Sequence, residues 1–163
     1  MPVYDRFAAV RCAHTWAYAR DPRYYDFSLL GGDCTNFASQ CLFAGARVMD
    51  FTPTFGWYYR SLGDRAPAWT GVQYLYNYLT RSRVSPGPTA REAAIGEMEP
   101  GDLVQLSFDG VRFTHCPIAV SVGAHTPETL LLAAHSEDCD DRPLASYDFR
   151  AVRFLHITGV IGA

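Results

Sequence analysis

Apolar positions recur at helical spacing over residues 4–19, where Tyr4, Phe7, Ala8, Cys12 and Trp16 share one side and Asp21-Pro22 ends the run. A second helical pattern covers residues 35–46 and closes near Gly45. A third covers 69–80, with Trp69, Val72, Leu75, Tyr76 and Leu79 in phase. Between them lie a loop at 23–30 and an irregular aromatic loop at 51–65. Ser85-Pro86-Gly87-Pro88 is a turn, and 89–95 reads as one short helical turn.

The period then changes. Glu99-Pro100-Gly101-Asp102 is a turn signal, with Asp102 read as a turn residue. Residues 103–108 form a predicted strand, Asp109-Gly110 a hairpin turn, and 111–122, 129–134 and 149–157 further strands. Helices followed by antiparallel strands predict an α+β fold. No repeat or linker interrupts the 163 residues, so residues 1–163 read as one domain.

Composition narrows the possibilities. Apolar residues are 48% and charged residues 19% of the chain, the balance of a globular domain. The net charge of −3 argues against a general nucleic-acid binder. Lys is absent and Arg supplies every fixed positive charge, which reads as a bias of the source genome. No apolar run reaches membrane-spanning length. Met1-Pro2-Val3-Tyr4-Asp5 lacks the basic and apolar regions of a signal peptide. Localisation therefore stands between the cytoplasm and export as part of a longer protein.

Five cysteines, an odd number, leave at least one free within a single chain and match no zinc spacing. Cys12 and Cys41 fall on apolar helical stretches and read as core residues. Cys139 sits among acidic residues and reads as exposed, and the cluster Glu137, Asp138, Asp140 and Asp141 reads as a solvated loop. Cys34 differs. It follows Gly31-Gly32-Asp33 and stands at a helix start, where Asp33 or Thr35 could cap. The helix dipole there favours a thiolate, so the expectation is a cysteine of depressed pKa and a hydrolase or acyl transferase. The alternative is a buried, inert thiol.

A cysteine nucleophile needs a base near it in space. Of five histidines, His115 precedes an apolar strand after the predicted hairpin, and His135 ends the next strand. Adjacent strands could set His135 beside His115 as an orienting third member. Either could instead be structural. His14 reads as surface or core filler, His125 as a loop residue and His156 as part of the last strand. Asp33 reads as a turn or cap residue. Trp57, Tyr58 and Tyr59 either line a groove or pack the long loop.

The segment Gly31-Gly32-Asp33-Cys34-Thr35-Asn36-Phe37-Ala38-Ser39-Gln40-Cys41 resembles the nucleophile segment of the putative amidase domain family, which is similar to the NlpC/P60 and CHAP cell-wall hydrolases. Tyr4-Asp5-Arg6, Gly56-Trp57-Tyr58-Tyr59, Pro100-Gly101-Asp102-Leu103-Val104, His115, Ala134-His135-Ser136 and Phe154-Leu155-His156-Ile157 resemble further family segments in the same order. The resemblance implies a papain-like fold with N-terminal helices packed on the antiparallel sheet. It implies Cys34 as nucleophile, His115 as base, His135 as third residue and Asp33 as a contact to a substrate amine. Tyr25 and Trp57 join Asp33 as candidate substrate-binding residues, with Tyr24 or Tyr25 also candidates for a second oxyanion donor. The implied reaction is hydrolysis of an amide, in a peptide or peptidoglycan fragment, through an acyl-thioester, with no cofactor. The rival is an inactive module that binds cell-wall peptide or a protein partner. A further rival transfers the acyl group to an amine.

Overall fold

A computed structural model describes residues 2–162. Helix α1 spans Arg6–Trp16, started by the Asp5 carboxylate accepting the Ala8 N–H at 3.0 Å. Helix α2 spans Cys34–Ala46 and is buried along nearly its whole length. α1 and α2 approach closely at Gly45, where an added Cβ would come within 2.8 Å of the Asp5 carbonyl. Tyr4 closes this corner by donating its hydroxyl to the Gly101 carbonyl.

The aromatic loop holds a small hairpin, β1 (Tyr59–Ser61) and β2 (Asp64–Arg65), which the sequence pattern did not reveal. The predicted helix at 69–80 divides into α3 (Pro67–Thr70) and α4 (Val72–Thr80), because Gly71 adopts extended backbone between them. The stretch read as a helical turn is instead strand β3, Gly87–Ala93. Its pairing with the last strand overrides weak local preference.

The remaining strands are β4 (Leu103–Ser107), β5 (Ile118–Ser121), β6 (Leu131–Ala134), β7 (Cys139–Pro143) and β8 (Ala151–Ile161). They form one antiparallel sheet in the order β3-β8-β4-β5-β6-β7. β7 corrects the solvated-loop reading of its segment. Its Cys139 is buried against the Tyr147 hydroxyl, and charges at Asp140, Asp141 and Arg142 hide the strand pattern.

β4 is buried on both faces. Leu103 joins a core shared with Phe37, Cys41, Trp57, Trp69 and Leu75, whereas Val104 and Leu106 join a second core with Leu130, Leu132 and Tyr147. Helices therefore cover one sheet face, and the segments that follow β7 cover part of the other. Each large side chain removed from water here contributes about 1.5–3 kcal/mol. Asp102 is more than a turn residue. It is fully buried, accepts from Arg6 Nη1 at 2.7 Å and from the Glu99 and Ile157 N–H groups, and meets His156 Nδ1 at 2.8 Å. It ties α1 to the strand ends and leaves His156 occupied. Among the described residues no helix is long and apolar enough to cross a membrane.

Candidate active site

The turn before α2 has the backbone that its glycines suggested: Gly31 and Gly32 have φ of 84° and 99°. Asp33 occupies the cap position, yet its carboxylate makes no capping bond. Its Oδ1 instead accepts from the Phe27 N–H at 2.8 Å and from Asn36 Nδ2 at 2.9 Å. Cys34 is the first residue of α2 and is 8% exposed. Its Sγ lies 3.7 Å from Thr35 Oγ1 and 3.8 Å from the Thr114 carbonyl, one residue from His115. Burial pushes the Cys34 thiol up. The Thr35 hydroxyl and the N–H groups of Cys116 and Thr35 oppose that shift without cancelling it, and the Asp33 charge adds to it. The thiol expected to be depressed at the helix start is instead raised, with desolvation as the largest cause.

His115 lies where an isolated antiparallel bridge to Leu106 carries the chain back along the end of β4. The backbone pairs with Leu106, and among the described residues the imidazole has no hydrogen-bond partner. The ring is 7% exposed, 5.5 Å from the Tyr147 ring and 6.4 Å from Phe108. Burial, aided by the nearby Arg142 cation, lowers its pKa to about 4. Near neutral pH the site therefore rests as thiol and neutral imidazole.

His115 and Thr114 line a cleft of about 750 Å³ with Phe108, Ser136, Glu137, Arg142, Ser146, Tyr147 and Asp148. Ser136 and Glu137 form the β6–β7 turn with φ of 63° and 61°, a left-handed pair that keeps this rim tight. Ser136 Oγ also reaches the Asp33 N–H at 3.4 Å, joining the cleft wall to the nucleophile turn.

His135 stands on the other side of Asp33. Its Nδ1 is 2.5 Å from Asp33 Oδ2, its Nε2 is 2.8 Å from the Trp16 carbonyl, and its ring stacks on Phe37 at 4.0 Å. Arg20 lies beside it, 3.1 Å from Nε2 and bonded to Asp138. Both ring nitrogens are thereby engaged away from His115. The structure brings Asp33, His135 and Arg20 together, and Cys34, next to Asp33 in the chain, meets the Thr114 carbonyl on the cleft wall.

Tyr25 is exposed; its N–H is bonded to the Tyr59 hydroxyl and its carbonyl to Asn36. Trp57 is fully buried, donating its indole N–H to Ser39 and lying 4.8 Å from Trp69, so its ring packs the core and faces no groove. Tyr24 is enclosed between Tyr59 and Trp69. His14, exposed on α1, meets Asp140 at 2.7 Å, and with Asp141 these are ligand atoms within 4.8 Å of one another at the surface. His125 is a loop residue whose Nε2 meets the Met98 carbonyl at 2.9 Å. Sequence reasoning missed Arg20, Arg142 and Tyr147. Arg142 and Tyr147 are more than a hundred residues from Cys34, and no local pattern marks any of the three.

These helices, this sheet and a cysteine at a helix start beside a histidine-lined cleft are accompanied by a family match. The chain belongs to the family described as Putative amidase domain, whose model matches residues 3–157. It is 35% identical over 121 residues to a protein called Uncharacterized protein YhbB, from Bacillus subtilis (strain 168). The match covers 72% of this chain and 37% of that relative, so the chain spans well under half of the relative's length. No solved structure matches.

Proposed function

We propose that residues 1–163 form a single papain-like cysteine amidase domain, related to the NlpC/P60 and CHAP hydrolases, that cleaves an amide in a peptide such as a cell-wall stem peptide. One observation carries this reading: the Cys34 thiol, at the first turn of α2, lies 3.8 Å from the carbonyl of the residue before His115, beside the cleft that His115 lines. The family match supports the amidase class.

In the proposed reaction the neutral His115 takes the Cys34 proton as sulfur attacks the amide carbonyl. The C–N bond then breaks, and the His115 proton passes to the leaving amine. Water cleaves the thioester and restores the thiol. The Cys34 backbone N–H at the helix start serves as one oxyanion donor, and Tyr25 is a candidate for the second. His135 and Asp33 hold the nucleophile turn. Asp33 is fully buried with both oxygens bonded inside the chain, so in this reading it supports the turn and does not itself meet the substrate amine. Since thiol and imidazole rest neutral, proton transfer accompanies attack.

A non-catalytic peptide-binding module is the second reading. The raised Cys34 pKa and the absence of a hydrogen bond between Cys34 and His115 among the described residues favour it. Incubation with peptide and stem-peptide amides, followed by acid quench and peptide mass spectrometry, separates the two. A thioester adduct on Cys34, lost in Cys34→Ala, is the expected result. Binding of the same peptides with no adduct and no product would establish the module instead. Added amine distinguishes hydrolysis from acyl transfer by its product.

A further inference from the structure

Arg142 is held more firmly than a surface arginine. Its Nε donates to Ser146 Oγ at 2.8 Å, its Nη2 to the Ser146 carbonyl at 3.3 Å, and its guanidinium carbon lies 3.6 Å over the Tyr147 ring. That ring in turn lies 5.5 Å from the His115 ring. The fork is thus fixed along the cleft wall, with its Nη1 end turned from these partners. Nη1 has one ion-pair contact, Glu137 Oε2 at 3.6 Å. The Glu137 side chain is 86% exposed and Arg142 27% exposed. An exposed pair of this kind is weakly held, so an incoming carboxylate displaces it readily. Asp148 is the other acidic residue on the cleft wall; it is exposed and has no ion pair among the described residues. Of the charged groups facing the cleft, Arg142 alone is a pre-oriented planar cation suited to a carboxylate.

We propose that Arg142 is a specificity-determining anion site, so that the substrate is an amide bearing a carboxylate close to the bond that Cys34 attacks. This rests on the reading of Cys34, whose thiol meets the Thr114 carbonyl at the cleft wall, as the nucleophile that serves this cleft. A bound carboxylate would also offset the cation that disfavours a protonated His115, easing the proton transfer.

The test uses two alkylating probes of similar size, iodoacetate and iodoacetamide, with the rate at Cys34 read by peptide mass spectrometry. The partly exposed Cys12 serves as the internal reference. The expected result is a Cys34 preference for iodoacetate, relative to Cys12, that falls about tenfold in Arg142→Gln and less in Arg142→Lys. Glu137→Gln should raise it, and Arg150→Gln, outside the cleft, should not change it. The iodoacetamide rate of each variant shows whether the surroundings of Cys34 are intact. Equal preference in wild type and Arg142→Gln, with Cys34 reactive, would overturn the anion site alone. A Cys34 that neither probe alkylates, or whose iodoacetamide rate is unchanged in His115→Asn, would overturn the nucleophile reading beneath it.

Discussion

His115 and His135 are both buried and both lie near Cys34, yet their surroundings are opposite. His135 has Asp33 on one nitrogen, the Trp16 carbonyl on the other, Arg20 alongside and Phe37 against its face. His115 has aromatic neighbours, a cation and no hydrogen-bond partner among the described residues. A histidine whose nitrogens are both engaged holds elements together. A histidine with free nitrogens at a cleft can accept and return a proton. On the proposed reading one ring belongs to the scaffold of the turn before α2 and the other to chemistry, although both end or precede strands of the same sheet.

The largest effect expected is on turnover. His115→Asn should reduce amide hydrolysis by about 10²–10⁴-fold with little change in melting temperature. An equal loss in His135→Asn without destabilisation would break the distinction. Next is stability. Removing the His135 ring as His135→Ala takes one partner from the buried Asp33 carboxylate, which keeps the Phe27 N–H, Asn36 and the Arg20 ion pair at 3.7 Å, and should cost about 1–3 kcal/mol in urea unfolding, whereas His115→Ala, which removes no hydrogen bond, should cost less.

The third expectation concerns pH. Folding lowers the His115 pKa from 6.5 to about 4, so below pH 6.5 the unfolded chain binds a proton that the folded chain refuses. Its contribution is complete above pH 6.5 and is lost as pH falls toward 4, up to about 3 kcal/mol in total. Urea melts between pH 4.5 and 7 should show this slope in wild type and a shallower one in His115→Asn. Activity should show an acid limb near the same lower value. An unchanged slope would mean that His115 titrates normally. The smallest effect is Trp57→Phe. It should cost about 1–2 kcal/mol through the lost bond to Ser39 and the void left by the smaller ring, and leave KM for a peptide amide unchanged. A raised KM would place Trp57 in substrate binding after all.

Legibility in the sequence followed the reach of the interactions. The Gly31-Gly32 turn, the α2 start at Cys34 and the buried β4 could be read because local periodicity and turn chemistry dictate them. β3 and β7 could not, since short mixed segments become strands only by pairing with β8 and β6. The division of the third helix at Gly71 was equally hidden, because a glycine within a helical period is tolerated as often as it breaks one.

By itself the sequence determined the α+β class, the helix-borne Cys34 and the short set of histidines that could serve it, because apolar period and side-chain chemistry are properties of each residue and its near neighbours. Only the tertiary structure decided which histidine is free. Burial, the Asp33 partner of His135 and the Arg142 cation beside His115 depend on groups about 25 to 100 residues apart in the chain, and the electrostatics of a site is set by what surrounds it in space.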